Sequence, residues 1–369
     1  MYTSYAPREE IDSAPPAPST PAEAGPGTPV ARRAGGVLVT TVVPQQKTAW
    51  TKARMDVLHL LRGAGYAHVE LPDGANPVHW LDFLGQLDRL VDRGGHVVIE
   101  YPFDQRKRAY LLHMFCRVRG ARLFALIHDL DSLRHEESPP EREIAILRLF
   151  DGLVSHNATM TEWLRGQGVG AKVVNLNLFD YCSPPGPTWH ETRLTTPLKV
   201  VCAGNLSYPK ASYVYDERLA QLRQVELSLF GAFFEPERLR HPGPRYKGVF
   251  DPDQPALDGR YHFGLIWDGQ SIDGCQGNYG QYMRYNNPHK LSLYLSLGLP
   301  VIVWKEAAIA PLVLGRGVGV LIGDLREMDA IPDWLDNQGY QQMAANAARL
   351  SPRVRRGDFL QDAIGRLVR

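Results

Sequence analysis

From Val37 onward the chain alternates short apolar runs with stretches of helical period. VLVTTVV (37–43) has the length and β-branching of a buried strand, and TKARMDVLHLLRGAG (51–65) has apolar residues at helical spacing and stops at glycines. The pattern continues through AHVEL (67–71), HWLDFLGQLDRLV (79–91), HVVIEYP (96–102), a helix ending near Gly120, RLFALIH (122–128) and EREIAILRLF (141–150). GLVSHN (152–157), ATMTEWLRGQG (158–168) and KVVNL (172–176) complete it. About six strands with helices between them predict a parallel sheet in one Rossmann-like domain over residues 36–178.

Residues 179–197 (FDYCSPPGPTWHETRLTTP) lose all periodicity and hold four prolines, which reads as a linker. The alternation then restarts with LKVVCAGN (198–205), a helix over 213–224, VELSLFGA (225–232), YHFGLIWDG (261–269), PHKLSLYLSLG (288–298), LPVIVWK (299–305) and VGVLIG (318–323). A second Rossmann-like domain is therefore expected over 198–350, with residues 351–369 as a helix packing back toward the first. The fold class is α/β, with two such domains facing a ligand cleft above the carboxyl ends of their strands. Residues 1–35, rich in Pro and Ala, offer little to bury and read as a disordered tail.

Composition narrows the function. Lys and Arg number 41 against 40 Asp and Glu, a net charge of +1, so the basic excess of a nucleic-acid binder is missing. The four cysteines form no C-x-x-C pair, which argues against structural zinc and disulfides and for a reducing cytoplasm. No run is long and apolar enough to span a bilayer.

The best-marked helix start lies in YNNPHKLSLYLSLGLP (285–300). Asn287 suits the N-cap and Pro288 the first helical position, while Gly298 and Pro300 mark the end. His289 and Lys290 occupy a first turn whose dipole favours acids, a mismatch that a bound phosphate would resolve. Gly204 and Asn205 allow a tight turn after the first strand of this half, with Lys210 just beyond as a second anion contact. The glycines of WDGQSIDGCQGNYGQYMRYNN (267–287) match no phosphate loop and read as a long mobile loop at the cleft. In the first half, RLFALI delivers His128-Asp129-Leu130-Asp131 to the cleft edge, residue types suited to general-base work on a hydroxyl. Asp129 is the first choice of carboxylate. Asp131 is the second, and helix capping by Asp131 or Ser132 is the structural alternative.

These segments together, with HVVIEYP, LIHDLDSLR, LVSHNATMTEWL, CAGNLSYPKASYVYD, FGLIWDG and YNNPHKLSLYLSLGLPVIVWKEAAIA, resemble the bacterial β-1,6-galactofuranosyltransferase-type glycosyltransferases. The pattern is also similar to the streptococcal glucosyltransferase that extends adhesin glycans, and the resemblance runs from about Val37 to Phe359. It implies a GT-B fold and transfer of a hexose, galactofuranose or glucose, from a UDP-sugar to a glycan hydroxyl, with no metal or other cofactor. By the same resemblance Gly204, Asn205 and Lys210 meet the nucleotide. His289, Lys290, Leu291 and Ser292, preceded by Asn287, hold the diphosphate, and the loop from Gln45 to Thr51 faces the donor, with Thr51 the residue to test. The absence of a recognisable E-x7-E pair leans toward inversion. Asp129, oriented by His128, is the expected base, and Asp268 stays open as a sugar ligand or catalytic group. Expected partners are the UDP-sugar and a glycan acceptor, lipid-linked in many such enzymes, with a homo-oligomer left open. A basic cluster of Arg106, Lys107, Arg108, Arg117, Arg119 and Arg122 suggests contact with the inner face of the plasma membrane. A UDP-sugar epimerase and a non-catalytic glycan-binding partner are the competing readings.

Overall fold

The computed structural model describes residues 36–41, 49–72, 74, 76–103, 106–135 and 137–369, with only the backbone of Ala49 and Arg106. The tail 1–35 and the loop 42–48, which holds most of the Gln45–Thr51 segment, lie outside the described residues. In the first half β1 (Val37–Thr40), α1 (Ala49–Gly63), β2 (Ala67–Glu70), α2 (Pro77–Leu90), β3 (His96–Tyr101) and α3 (Arg106–Arg119) come first. They are followed by β4 (Arg122–Ile127), α4 (Asp131–Arg134), α5 (Pro140–Leu147), β5 (Gly152–Ser155), α6 (Ala158–Gly166) and β6 (Lys172–Asn175). The second half begins with β7 (Leu198–Ala203), α7 (Tyr208–Ala211), β8 (Val225–Phe230), β9 (Arg245–Tyr246), β10 (Phe263–Ile266), α8 (Gly277–Tyr282) and α9 (His289–Ser296). It ends with β11 (Val301–Trp304), α10 (Ala310–Arg316), β12 (Gly319–Ile322), α11 (Ile331–Trp334), α12 (Asn337–Arg356) and α13 (Asp358–Val368).

The strands form two six-stranded sheets, ordered β2-β1-β3-β4-β5-β6 and β12-β11-β10-β7-β8-β9. Neighbours pair in parallel, as β1 does with both β2 and β3. Alternation decides which face each residue covers. Val37, Val39, Val97, Ile99, Leu123 and Ile127 join the core under the outer helices. Leu38, Val98, Phe124 and Leu126 join a second core continuous with the other half. In each sheet the strand order reverses once, between β1 and β3 and between β7 and β10. A crevice opens at the carboxyl ends of such a pair.

Three expectations are corrected. Residues 213–224 form short 3₁₀ turns, Ser212–Tyr215 and Glu217–Gln221, because extended Asp216 interrupts them and caps the second through Arg218 N–H at 3.0 Å. Segment 267–287 is not one long loop, since α8 lies within it. Two of its glycines serve packing: a Cβ at Gly280 would sit 2.4 Å from the Cys275 carbonyl carbon, and one at Gly269 2.2 Å from the Gln276 carbonyl oxygen.

The end of the chain is two helices rather than one, broken at Gly357 (φ 86°), where a Cβ would meet Leu60 at 2.3 Å. α13 lies on the first sheet. Asp180 accepts from Phe359 and Leu360 N–H at 3.3 and 2.7 Å, and Arg122 donates to the Val368 carbonyl at 2.5 Å.

Burial raises the carboxyls of Asp56 to about 6, Asp180 to about 7 and Glu100 to about 8. A carboxyl raised in the folded state stabilises most below its unfolded pKa and loses that contribution as pH rises through the folded value. Thermal unfolding is therefore expected at falling temperature from about pH 4 to pH 8 and to level off above that. Asp180→Asn, which keeps an acceptor oxygen, should flatten the slope around pH 7; an unchanged slope would refute the assignment.

Candidate active site

At the second-domain reversal, β7 ends in the turn Gly204-Asn205 and β10 runs into Trp267-Asp268. Asn205 Oδ1 accepts from Ser207 N–H at 2.8 Å, which closes the turn. Lys290 reaches back from the first turn of α9 and donates to the Trp267 carbonyl at 2.9 Å and to Asp268 Oδ1 at 2.7 Å. Its stem passes under Gly204, where a Cβ would lie 3.0 Å from Lys290 Cε. Lys210 Nζ stands 3.7 Å from the other Asp268 oxygen. Burial opposes the Lys290 ammonium, but Asp268 outweighs it and leaves the pKa above the usual value. Two ammonium groups share one carboxylate, so positive charge is in surplus.

This geometry revises the sequence reading of the helix start. The cation at the positive end of α9 already has a counter-charge in Asp268, so a phosphate is not required to explain it. Asn287 does not cap α9. Pro288 flanks the helix with no side-chain cap, and the Asn287 side chain is turned to the first domain. Leu291 and Ser292 are buried and line neither cleft cavity, and the Leu291 N–H is taken by the Pro288 carbonyl at 2.9 Å. His289 stays at the cleft wall, and its buried Nε2 has no hydrogen-bond partner among the described residues. Burial lowers its pKa to about 3.

Across the cleft, β4 presents His128 and Asp129. His128 does not orient Asp129. Its Nε2 lies 2.9 Å from Glu100 Oε1, while Asp129 is held by Arg134 at 2.8 Å. Asp131 opens α4 and lines neither cleft cavity; its N–H and that of Ser132 donate to the Glu143 carboxylate of α5 at 3.0 Å each. Thr51 is buried; its neighbours Trp50 and Ala53 line the cleft instead. Arg134, Tyr279 and Tyr282 join the wall, with Arg134 5.4 Å and Lys210 5.6 Å from the Tyr279 ring centre.

Two adjoining cavities fill the cleft. One, about 150 Å³, is lined by His128, Asp129, Arg134, Gly204, Asn205, Lys210, Asp268, Asn287, His289 and Lys290 among others. The next, about 290 Å³, adds the aromatic wall of Tyr181, Phe230, Phe233 and Phe250. A wider hollow of about 690 Å³ behind the joint, by His59, Arg355 and Arg356, touches neither strand-order reversal and is largely open to solvent. The sequence reading missed Glu100, and it placed Trp50 in the donor-facing loop and Arg134 in the segment at the cleft edge without assigning either a role. Glu100 had a signal, a carboxylate within the apolar run HVVIEYP.

The basic cluster is largely occupied elsewhere. Arg108 donates to the Gly74 carbonyl, Arg119 pairs with Asp88 and Arg122 binds Val368.

Breaking a buried pair costs about 3–5 kcal/mol when the charge left behind has no partner, and Lys210, 3.7 Å from Asp268, should hold the cost of losing Lys290 near the lower end of that range. Lys290→Ala should destabilise the fold by that order in urea denaturation, and Lys290→Met with Asp268→Asn should recover most of it. Equal stability of the single variant and wild type would refute the pairing.

Comparison with known proteins gives the family. The C-terminal domain model of the glucosyltransferase 3-like family matches residues 200–367, and its N-terminal domain model matches residues 36–178. The chain is 34% identical over 262 residues to the β-1,6-galactofuranosyltransferase WbbI of Escherichia coli (strain K12), covering 70% of this chain and 75% of that one. It is 30% identical over 250 residues to glucosyltransferase 3 of Streptococcus gordonii, covering 66% and 70%. In fold it is similar to the E. coli trehalose-6-phosphate protein bound with UDP-2-fluoro glucose, at TM-score 0.51 and 11% identity over 90% and 99% of the two chains. An α-glucosyltransferase in complex with UDP and a 13-mer DNA gives TM-score 0.51 and 11% identity over 91% and 99%. With both domain models matched in order and the two sheets facing one cleft, the chain belongs to the glucosyltransferase 3-like family of GT-B glycosyltransferases.

Proposed function

We infer that the protein transfers a hexose from a UDP-sugar to a glycan hydroxyl, inverting the anomeric centre and needing no divalent metal. The observation that carries this reading is the surplus positive charge around Asp268, beside the Gly204 turn and next to an aromatic cavity. In this reading the diphosphate lies against Lys210, Lys290 and the start of α9, and the uridine occupies the hollow of Phe230, Phe233 and Phe250. As the sugar–oxygen bond breaks, charge grows on the diphosphate. Ammonium groups fixed beforehand stabilise that charge without reorganising, and His289 Nε2 adds an unpaired polar atom on the same wall.

The relatives are named for galactofuranose and for glucose, and both are retained as donor sugars. A lipid-linked acceptor met at an anionic membrane face belongs to the same proposal. It is supported by exposed Lys107 and Arg117 beside exposed Tyr110, Leu111, Met114 and Val118 on α3.

Titration with UDP tests the donor site. UDP should raise the unfolding temperature, and Lys210→Ala should weaken UDP binding by about tenfold, the worth of one charged hydrogen bond. Transfer from a UDP-sugar should persist in EDTA. Absence of a UDP shift, or a Lys210→Ala variant that binds UDP like wild type, would remove the reading.

A further inference from the structure

Behind the first-domain wall of the cleft lies a buried chain of ionisable groups that the donor site does not use. Glu100, fully buried, comes near the end of β3, beside β1, where the strand order reverses. Its Oε1 lies 2.9 Å from His128 Nε2, and its Oε2 lies 3.8 Å from the Arg54 guanidinium. Arg54 in turn donates to the Pro102 carbonyl at 3.0 Å and sits 4.5 Å from the centre of the Trp50 ring. The His128 ring stacks on Phe179, with centroids 5.7 Å apart and planes at 12°. One nitrogen and one face of the imidazole are thereby fixed. The other nitrogen, Nδ1, has no hydrogen-bond partner among the described residues and is not among the buried unpaired atoms, while His128 lines the cleft.

A base for a hydroxyl needs a lone pair at the cleft and a second group that fixes its tautomer and balances the cation it becomes. Asp129 is already occupied by Arg134. We propose that His128 is the catalytic base of the transfer and that Glu100, faced by the Arg54 guanidinium at 3.8 Å, is the residue that positions it. This proposal rests on the transferase reading above. In the step, the acceptor O–H bond breaks and its proton goes to His128 Nδ1. The acceptor oxygen bonds the anomeric carbon, and the bond from that carbon to the diphosphate breaks, its electron pair leaving on UDP. The Glu100 carboxylate accepts from Nε2–H throughout and balances the imidazolium.

The charged neighbours are compatible with this role. Arg54 on α1 and His68 on β2 face Glu100; Arg54, Asp129, His156 and His289 surround His128. Burial holds His128 well below the usual histidine range, so it is neutral and able to accept a proton. Burial raises Glu100 to about 8, so the carboxylate form, and with it turnover, should grow as pH rises through that value.

Two measurements on the full chain decide the proposal. In ¹⁵N-histidine spectra, with His128 assigned by its loss in His128→Asn, the ring should be neutral and protonated on Nε2 at pH 9. A ring protonated on Nδ1 overturns the proposal whatever the donor proves to be. In UDP-release assays His128→Asn should lower kcat on the order of 10²- to 10⁴-fold with UDP affinity kept within about twofold. Glu100→Gln should lower kcat at unchanged donor KM and abolish the rise near pH 8, and Glu100→Asp should restore part of both. An active wild type whose His128→Asn variant keeps full turnover while Asp129→Asn loses it overturns the base assignment alone. A wild type that neither binds UDP nor releases it from any UDP-sugar overturns the transferase reading, and the base assignment with it.

Discussion

Asn287 commits its amide to the first domain. Its Nδ2 donates to the His156 and Asn177 carbonyls at 2.7 and 2.9 Å, its Oδ1 accepts from Asn157 Nδ2 at 2.8 Å, and its backbone N–H donates to His156 Nδ1 at 2.9 Å. Asn157 also caps α6 through Met160 N–H and holds the Tyr285 carbonyl. His156, Asn157 and Asn287 are buried, so shifting the interface without letting water in would leave their polar atoms without partners, at about 1–3 kcal/mol apiece. The knot sits one turn before Lys290. It therefore sets where α9 begins and how far the Lys290 stem must reach to find Asp268. The distance between the second-domain cations and the His128–Asp129 edge depends on the same bonds.

The two walls of the cleft use one construction. At each strand-order reversal a basic and an acidic side chain are buried side by side, and an apolar sheet packs behind them. In the second domain the pair is Lys290 and Asp268; in the first it is Arg54 and Glu100, with His128 attached. Burying ions is costly and tolerable only with partners in place. The cost is met by cores that pass from one half into the other, through residues such as Leu38, Phe124, Leu265 and Leu291. Tyr282 adds a cross-domain bond by accepting from Leu130 N–H at 3.0 Å, which gives α8 its place against α4.

Much of this was legible in the chain. VLVT, HVVIEY and RLFALI read as strands because both faces of a parallel sheet are buried and the runs are apolar throughout. The turn at Gly204 was legible because Gly-Asn suits a tight turn, and the lysine at 290 because a cation conflicts with the positive end of a helix. Partners distant in sequence were not legible. Nothing near Asn287 tells that its amide is spent on residues 156, 157 and 177, and a cap is the natural reading of Asn before Pro. Likewise, adjacency in sequence made His128 look like the partner of Asp129. The pleat sends successive side chains apart, and the true partner of His128 is Glu100 on the neighbouring strand. The glycines of 269–280 looked like freedom of motion, but Gly269 and Gly280 serve close packing against Gln276 and Cys275.

α13 packs on a sheet made from the opposite end of the sequence. Leu367 fills the space that a side chain at Gly152 would claim, and Lys172 and Arg122 bind the last carbonyls of the helix. On the ribosome, β5 and β6 emerge early and wait for this cover while the entire second domain is translated. One face of the first sheet thus stays without its native cover until translation reaches α13.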